Sequence, residues 1–430
     1  STFRVLLSIA SQKKMNVYHV DVKTAYLYGT LEEEIFMRQP PGFVVPGQEK
    51  CVCKVNRSIY GLKQAARVWN STIKDFLIAI DFVQSSSDAC LYMKKLSDRE
   101  WMYLLIYVDD MVIVCREKNQ MLRVEEELKK RFRITSLGPV HLFLGIAVNQ
   151  DPDGVYSINQ SSFIRKIAKQ YGLDESKKSK IPMDTGYYKF AEKSEVLPNN
   201  TEYHSLVGSL LYVSTNTRPD IAASVSILSR KIQSPSQADW TELKRVVRYL
   251  VGTADHRLQL GTSEADRMSA LEGFCDADWA SDTSDRKSNS GFVFRFGEAT
   301  ISWASRKQTC VSTSTMEAEY VALAEAVQEV VWLRRLLAEL GEKQQTPTTI
   351  FEDNKSCLDF VALERQNRRS KHIDTKFHYI KDAATSGQIV LRYCTTTDML
   401  ADIMTKPLGA VQVAKFVGML GLKAGGSGHR

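Results

Sequence analysis

At 430 residues the chain is long for a single hydrophobic core, because compact domains usually stop growing near roughly 250 residues, so two or three domains are expected. A hydrophobic share of 43% with 25% charged residues is an ordinary globular balance and argues against wholesale disorder. Lys and Arg exceed Asp and Glu by 57 to 50, and the net charge of +7 favours a polyanionic partner without proving one.

The sequence opens on Ser1 in what reads as mid-helix, with Phe3, Leu6, Leu7 and Ala10 at helical spacing and no basic leader, as in a fragment or processed product. Residues 15 to 28 alternate into a short strand, and Gly29, Pro40-Pro41-Gly42 and Pro46-Gly47 punctuate the loops that follow. A helix is predicted from about Gln64 to Ile80. Two β-rich runs, Tyr103 to Val108 and Met111 to Cys115, join through Asp109-Asp110 as a tight hairpin. Broken by those aspartates, this apolar stretch falls short of the roughly 20 residues that span a bilayer, so no membrane partner is expected.

Met121, Val124, Leu128 and Phe132 mark an amphipathic helix, and a second hairpin follows over Leu142 to Val148 and Val155 to Ile158. Residues 174 to 202, rich in Lys, Ser, Glu, Pro and Asn, read as a solvated linker. Helical patterns at 203 to 215, 219 to 232 and 236 to 251 come next, two of them started by Pro219 and Pro235. From Leu271 the texture changes: strands at 271 to 275, 291 to 296 and 300 to 305, one long helix through Leu340, strand 348 to 352, helices around 355 to 363 and 371 to 385, strand 388 to 393 and a helix around 397 to 404. This order suggests a mixed sheet with helices packed on it. Among eight scattered cysteines only Cys51 and Cys53 lie close together, a pattern that fits neither zinc spacing nor a disulfide framework and suggests a reducing compartment.

Two constellations of acids carry the chemistry. Asp109 and Asp110 at a hairpin and Asp21 at the end of another strand can share a site, although an exposed Asp-Asp turn is the plainer reading of the pair. Divalent cations held between such carboxylates can activate a hydroxyl and stabilise a leaving phosphate oxygen, and Mg²⁺ suits oxygen ligands. In the second half Asp276 lies on the first strand, Glu319 early in the long helix, Asp353 at the end of the fourth strand and Asp402 in the last helix. Each has a structural explanation alone, but four carboxylates on one sheet edge would repel unless about two cations neutralised them.

The segments DVKTAYLYGTLEEEIFMRQPPGF (21 to 43), SIYGLKQAARVW (58 to 69), LLIYVDD (104 to 110) and LGPVHLFLGI (137 to 146) resemble reverse transcriptases of copia-type long-terminal-repeat retrotransposons. STMEAEYVAL (314 to 323), EDN (352 to 354) and LADIMTKPL (400 to 408) are similar to the ribonuclease H part of the same polyproteins. The resemblance runs from about residue 3 to 422. It implies an α+β, mixed fold: a right-hand polymerase palm with a remnant of the fingers over 1–160, a mainly helical thumb and connection over 161–265, a ribonuclease H-like α/β domain over 266–422 and a flexible tail over 423–430.

The same resemblance implies RNA-directed DNA polymerisation and cleavage of the RNA strand in RNA–DNA hybrids, with two Mg²⁺ per site and Mn²⁺ as an alternative. Metal binding then falls on Asp21, Asp109 and Asp110, and on Asp276, Glu319, Asp353 and Asp402, with Glu317 the rival of Glu319. Tyr26 is similar in position to the steric gate against ribonucleotides, with core packing as its other reading. Gly61, Lys63 and Gln64 match the segment that lines the incoming nucleotide, and Ala66 stands where many relatives have Pro. Phe143 to Ile146 resembles a primer grip, although a hairpin with a bulge at Gly145 explains it as well.

Arg365, Arg368, Arg369 and Lys371 form a basic run able to hold hybrid phosphates or to begin a solvated helix. His372 and His378 are six residues apart, do not share a helix face and are no metal pair. The loop 394–398 lacks a His that some relatives carry. Implied partners are an RNA template, a DNA primer, the RNA–DNA hybrid, deoxynucleotide triphosphates and the polyprotein's integrase, protease and capsid parts. The implied location is cytoplasmic, in virus-like particles, with nuclear entry of the products. Because the family's fingers are expected before Ser1, two other readings stay open: a ribonuclease H whose polymerase half is inactive, and a non-catalytic nucleic-acid-binding relic.

Overall fold

The computed structural model describes residues 1–98, 100–262, 270–282, 285–362 and 374–425. The basic run at Arg365, Arg368, Arg369 and Lys371, and His372, lie outside the described residues. The chain divides into two compact units, one over Met15–Phe143 and one over Phe3–Lys14 with Leu144–Arg430. The opening helix α1 (Thr2–Lys13) buries Val5, Leu6, Leu7, Ile9 and Ala10 and belongs to the second.

The Met15–Phe143 unit is built on a six-stranded antiparallel sheet. Its strand β1 (Asn16–Val22) is followed by a small ribbon of β2 (Phe36–Arg38) and β3 (Val52–Lys54), and then by helix α2 (Ala65–Ala79). Next come β4 (Val83–Gln84), β5 (Leu91–Ser97), β6 (Glu100–Tyr107), β7 (Asp110–Cys115), helix α3 (Lys118–Arg131), β8 (Ile134–Pro139) and the short β9 (Leu142–Phe143). The sheet order is β4-β5-β6-β7-β1-β8.

Side-chain alternation sends Tyr18, Val20 and Val22, Leu104 and Ile106, and Met111 and Ile113 into one core with Trp69, Ile73, Leu77, Met121, Leu128 and Phe132 of the two helices. The other face is left to His19, Asp21 and Asp110. The predicted helices and hairpin are present, and β5 is an additional strand that its mixed pattern of Lys and apolar residues hid. One detail differs from expectation: the hairpin turn is Val108-Asp109, with Val108 at φ 57°, and Asp110 already pairs with Tyr107 in the ladder.

The second unit continues from the two-residue turn Leu144-Gly145, where both residues have positive φ (49° and 73°). Gly145 therefore forms the turn and not a bulge. Strands β10 (Ile146–Gln150) and β11 (Tyr156–Asn159) lead into α4 (Ser161–Gln170), which the sequence reading did not anticipate. The stretch read as a solvated linker contains α5 (Tyr187–Ala191), with Met183 and Tyr187 wholly buried. Its polar composition misled because Tyr187 is satisfied in the interior by donating to Asp239 Oδ1 at 2.5 Å.

Helices α6 (Thr201–Asn216), α7 (Ala222–Ser229) and α8 (Gln237–Gly252) follow, the last started by a capping box between Ser236 and Asp239. Strand β12 (His256–Gln259) closes this block against β11.

From Leu271 a second sheet forms. Strands β13 (Leu271–Asp278), β14 (Asn289–Phe296) and β15 (Ala299–Lys307) run antiparallel in sequence. The 25-residue helix α9 (Thr315–Glu339) packs on β13 and β14 before β16 (Thr348–Glu352) joins β13 in parallel. After α10 (Lys355–Ala362) and α11 (Asp374–Thr385), β17 (Ile389–Tyr393) adds in parallel to β16. The order β15-β14-β13-β16-β17, with helices packed on the sheet, is a mixed α/β arrangement. The short α12 (Asp402–Thr405) is followed by α13 (Ala410–Met419) and β18 (Leu422–Ala424). Lys423 and Ala424, read as the start of a tail, pair with Arg257 and His256. Among the described residues no helix is long and apolar enough to cross a membrane, and all eight cysteines are free.

Candidate active sites

In the Met15–Phe143 unit, strand register brings the first acids together. Asp21, at the end of β1, lies directly opposite Asp110, the first residue of β7, so both side chains share the sheet face away from the core. Asp109 sits in the adjoining turn, where its carbonyl accepts from Val22 N at 2.8 Å. Trp69 anchors the same turn from the core, its Nε1 donating to Val108 O at 2.6 Å.

The carboxylates are partly answered by neighbours the sequence reading did not single out: His19 Nε2 lies 2.9 Å from Asp110 Oδ1, Lys23 Nζ lies 3.3 Å from Asp21 Oδ2, and Tyr60 Oη donates to Asp109 Oδ2 at 3.3 Å. The Tyr60 phenol is raised by burial and then by the Asp109 carboxylate. Their signal was strand spacing, since His19 is two residues from Asp21 and diagonal to Asp110 across the ladder. Asp21, Asp109 and Asp110 are not among the described groups of three whose ligand atoms all lie within 4.8 Å of one another.

Tyr26 is half-buried, and its ring centroid lies 4.4 Å from that of Tyr60. This contact links Tyr26 through Tyr60 to Asp109. Gly61 has φ 101°, a conformation glycine adopts freely, and Gly61 and Lys63 are exposed. Gln64 lines a cleft of about 440 Å³ with Arg67, Arg131, Glu32, Glu33 and Asp75.

In the second unit the acids converge more tightly. Ligand oxygens of Asp276, Asp353 and Asp402 all lie within 4.8 Å of one another, as do those of Glu319, Glu352 and Asp353. Each arrives by a local rule. Asp276 lies on β13 opposite Gly291, and a Cβ on that glycine would come within 2.6 Å of Met404 Cβ and 2.7 Å of Thr405 Cγ2, so the missing side chain lets α12 settle on the sheet. Asn289 Nδ2 holds the end of α12 through Thr405 O at 2.8 Å, and Thr405 Oγ1 donates to Asp276 Oδ2. Asp353 follows the last residue of β16 and accepts from Thr396 Oγ1 at 2.7 Å.

The two glutamates at the start of α9 have different surroundings. Ser314 caps the helix, and Glu317 accepts from the Thr313 amide and hydroxyl at 2.7 Å each, while Glu319 points into the acid cluster. His378 is exposed on α11.

Burial, then mutual repulsion, governs this cluster's protonation. It pushes Glu319 well above the usual carboxylate range, with Asp276, Glu352 and Asp353 adding to the effect. Burial first, and Asp276 next, raises Asp402 to about 7, and burial raises Glu352 to about 8. Asp276 is raised by burial too, against the pull of Lys406. Lys406 Nζ lies 2.9 Å from Asp402 Oδ1 and 3.7 Å from Asp276 Oδ2; burial works to lower its ammonium, but the two carboxylates raise it overall. Glu352 and Lys406 were missed although the EDN and TKP motifs contain them, because strand and helix spacing could not show which way they point.

A divalent cation fits this donor set. The donors are hard oxygens, and Glu319 is buried with an Oε2 that has no hydrogen-bond partner, a costly state that a bound cation would relieve.

The family model described as reverse transcriptase (RNA-dependent DNA polymerase) matches residues 1–185. The retrovirus-related Pol polyprotein from transposon TNT 1-94 of Nicotiana tabacum is 36% identical over 416 residues, covering 94% of this chain and 31% of that protein. Its counterpart from transposon RE2 of Arabidopsis thaliana is 35% identical over 422 residues, 98% of this chain and 29% of that protein. The chain thus spans about a third or less of these polyproteins.

A putative transposon Ty5-1 protein of Saccharomyces cerevisiae is 32% identical over 312 residues, which is 72% of this chain and 100% of that protein. Among solved structures, the foamy viral protease-reverse transcriptase in complex with dsDNA matches at 14% identity and a TM-score of 0.48, over 89% of this chain and 68% of that one. LC11-RNase H1 in complex with an RNA/DNA hybrid matches at 13% identity and a TM-score of 0.25, over 31% of this chain and 93% of that one. On the sequence matches, the chain belongs to the reverse-transcriptase family of copia-type retrotransposon Pol polyproteins.

Proposed function

We propose that the chain is an RNA-directed DNA polymerase joined to a ribonuclease H, copying retroelement RNA into DNA and cleaving the RNA strand of the resulting hybrid. In this reading residues 1–160 are the palm with part of the fingers, 161–265 the thumb and connection, and 266–422 the nuclease. Asp21, Asp109 and Asp110 hold the cations for nucleotidyl transfer, Tyr26 excludes the ribose 2′-hydroxyl, and Gly61, Lys63 and Gln64 line the incoming deoxynucleotide. Asp276, Glu319, Asp353 and Asp402 hold the cations for RNA hydrolysis. Bound Mg²⁺ supplies activation of the attacking hydroxyl or water and stabilisation of the leaving oxygen.

The observation that carries the reading is the meeting of carboxylates from distant stretches: Asp21 faces Asp110 across a strand pair, and Asp276, Asp353 and Asp402 crowd within 4.8 Å. The protein's own part is to hold those oxygens in place, with Thr405 donating to Asp276 and Thr396 to Asp353. RNA template, DNA primer, and the integrase, protease and capsid parts of a polyprotein in cytoplasmic virus-like particles are the partners this role requires.

Primer extension and hybrid cleavage with Mg²⁺ test the reading on separate variants. Asp110→Asn is expected to lower extension by about 100-fold or more while sparing cleavage, and Asp276→Asn the reverse, since a lost metal ligand removes several kcal/mol of charge stabilisation. Extension unaffected by Asp110→Asn would exclude the polymerase assignment. A nuclease-only reading has one observation in its favour: the polymerase acids do not form a group as close as the nuclease acids do. Cleavage without extension in the unaltered chain would select it.

A further inference from the structure

The acids at the end of β16 divide between two faces of the sheet. Phe274 and Phe351 are register partners stacked 4.9 Å apart, so alternation turns Cys275 and Glu352 to the opposite face. On that side Glu319 of α9 meets Glu352, whereas Asp276 and its register partner Gly291 face α12 and Asp402. Asp353, just past the strand end, belongs to both groups.

Glu352 is wholly buried, and both of its oxygens accept: Oε1 from the Asn354 amide at 3.1 Å and Oε2 from the Cys275 thiol at 3.2 Å. Two donors leave further lone pairs on a carboxylate free. The α12 side has its own cation in Lys406, but no ion pair among the described residues reaches Glu319 or Glu352, and Glu319 Oε2 is buried with no partner. Three crowded, buried or half-buried carboxylates with no cation of their own are held protonated, and a bound cation relieves that state.

We infer that Glu352 is a ligand of a divalent cation on the α9 side of the nuclease site, held jointly with Glu319 and Asp353. Asp353, which belongs to both groups of acids, would be shared with the α12 side, and the cation class is hard and oxygen-seeking because the Cys275 thiol spends its contact on Glu352 instead of facing the site. The inference rests on the nuclease reading of this site, and a binding measurement lets each fail alone.

Mn²⁺ alone would be titrated calorimetrically, and by the electron-spin signal of the free ion, into the full chain carrying Asp21→Asn and Asp110→Asn, which removes the polymerase ligands. Two ions are expected there. Adding Glu352→Gln should weaken one of them roughly 10- to 100-fold and leave the other, and adding Glu319→Gln as well should cost little more. Glu352→Asp, which keeps the charge, should recover part of the affinity and guards against a misfolded Gln variant. Unchanged stoichiometry and affinity in a folded Glu352→Gln chain would overturn the inference. Two ions bound with no hybrid cleavage by the same chain, Glu352-dependent as expected, would uphold the cation site and overturn the nuclease reading.

Discussion

Glu352 and Asp402 show how a single side chain's burial becomes a property of the protein. An acid raised in the folded chain stays protonated there after the unfolded chain has ionised, so the folded state binds the extra proton and stability falls as pH rises. For Glu352 the window runs from its ordinary 4.5 to about 8, and for Asp402 from 3.8 to about 7. The metal-free protein is therefore expected to lose melting temperature between about pH 5 and 8 and to level off above. Mg²⁺ binds the deprotonated acids, so its stabilising effect should grow across the same window. Thermal melts at pH 5.5 and 8.5, with and without Mg²⁺, check this. An Mg²⁺ shift as large at pH 5.5 as at 8.5 would contradict it.

Two local elements deliver the acids, and each depends on one contact made by an unremarked residue. Helix α12 reaches the sheet because Gly291 has no side chain. Gly291→Ala should cost about 1 to 3 kcal/mol by overpacking and reduce hybrid cleavage more than primer extension, as displaced Asp402 leaves the cluster. Chemical denaturation together with both activity assays would show it, and equal loss of the two activities would point to general unfolding instead.

The β6–β7 hairpin is tied to α2 through Trp69 Nε1 on Val108 O. Trp69→Phe leaves that carbonyl without its partner and should cost about 1 to 3 kcal/mol, with extension falling while cleavage is retained. The helices, the hairpin and the nuclease strands were legible from periodicity. The elements α4 and α5 were not: α4 is short and its start is marked only by Asn159, whose side chain accepts from the Ser161 amide at 3.2 Å, and α5 is an aromatic turn inside a polar stretch, buried with the help of the long-range bond from Tyr187 to Asp239.

Across the second unit, a wholly buried ion pair holds the helical block. Arg218 Nε and Nη2 donate to Asp220 Oδ1 and Oδ2 at 2.9 and 2.7 Å, Tyr249 of α8 donates to the same carboxylate at 2.7 Å, and Arg218 Nη1 reaches Thr253 O at 3.0 Å. Removing one charge strands the other, so Arg218→Met should destabilise by about 3 to 5 kcal/mol, and adding Asp220→Leu should restore much of it. Urea unfolding of the single and double variants measures this, and equal losses in both would refute the pairing argument.

Nothing about this network was visible in Arg218-Pro-Asp220, since burial of a pair is a property of what folds over it. Adjacent acids at a hairpin, an acid on a strand end and an amphipathic period were written in the order of residues, because they depend on neighbours one to four positions away. Which carboxylates meet was decided by strand register and by the side of the sheet each residue faces. Asp110 found Asp21, Glu319 met the acid cluster, and Glu352 and Lys406 joined it only because parallel pairing and the seating of α12 brought distant segments within a few ångströms.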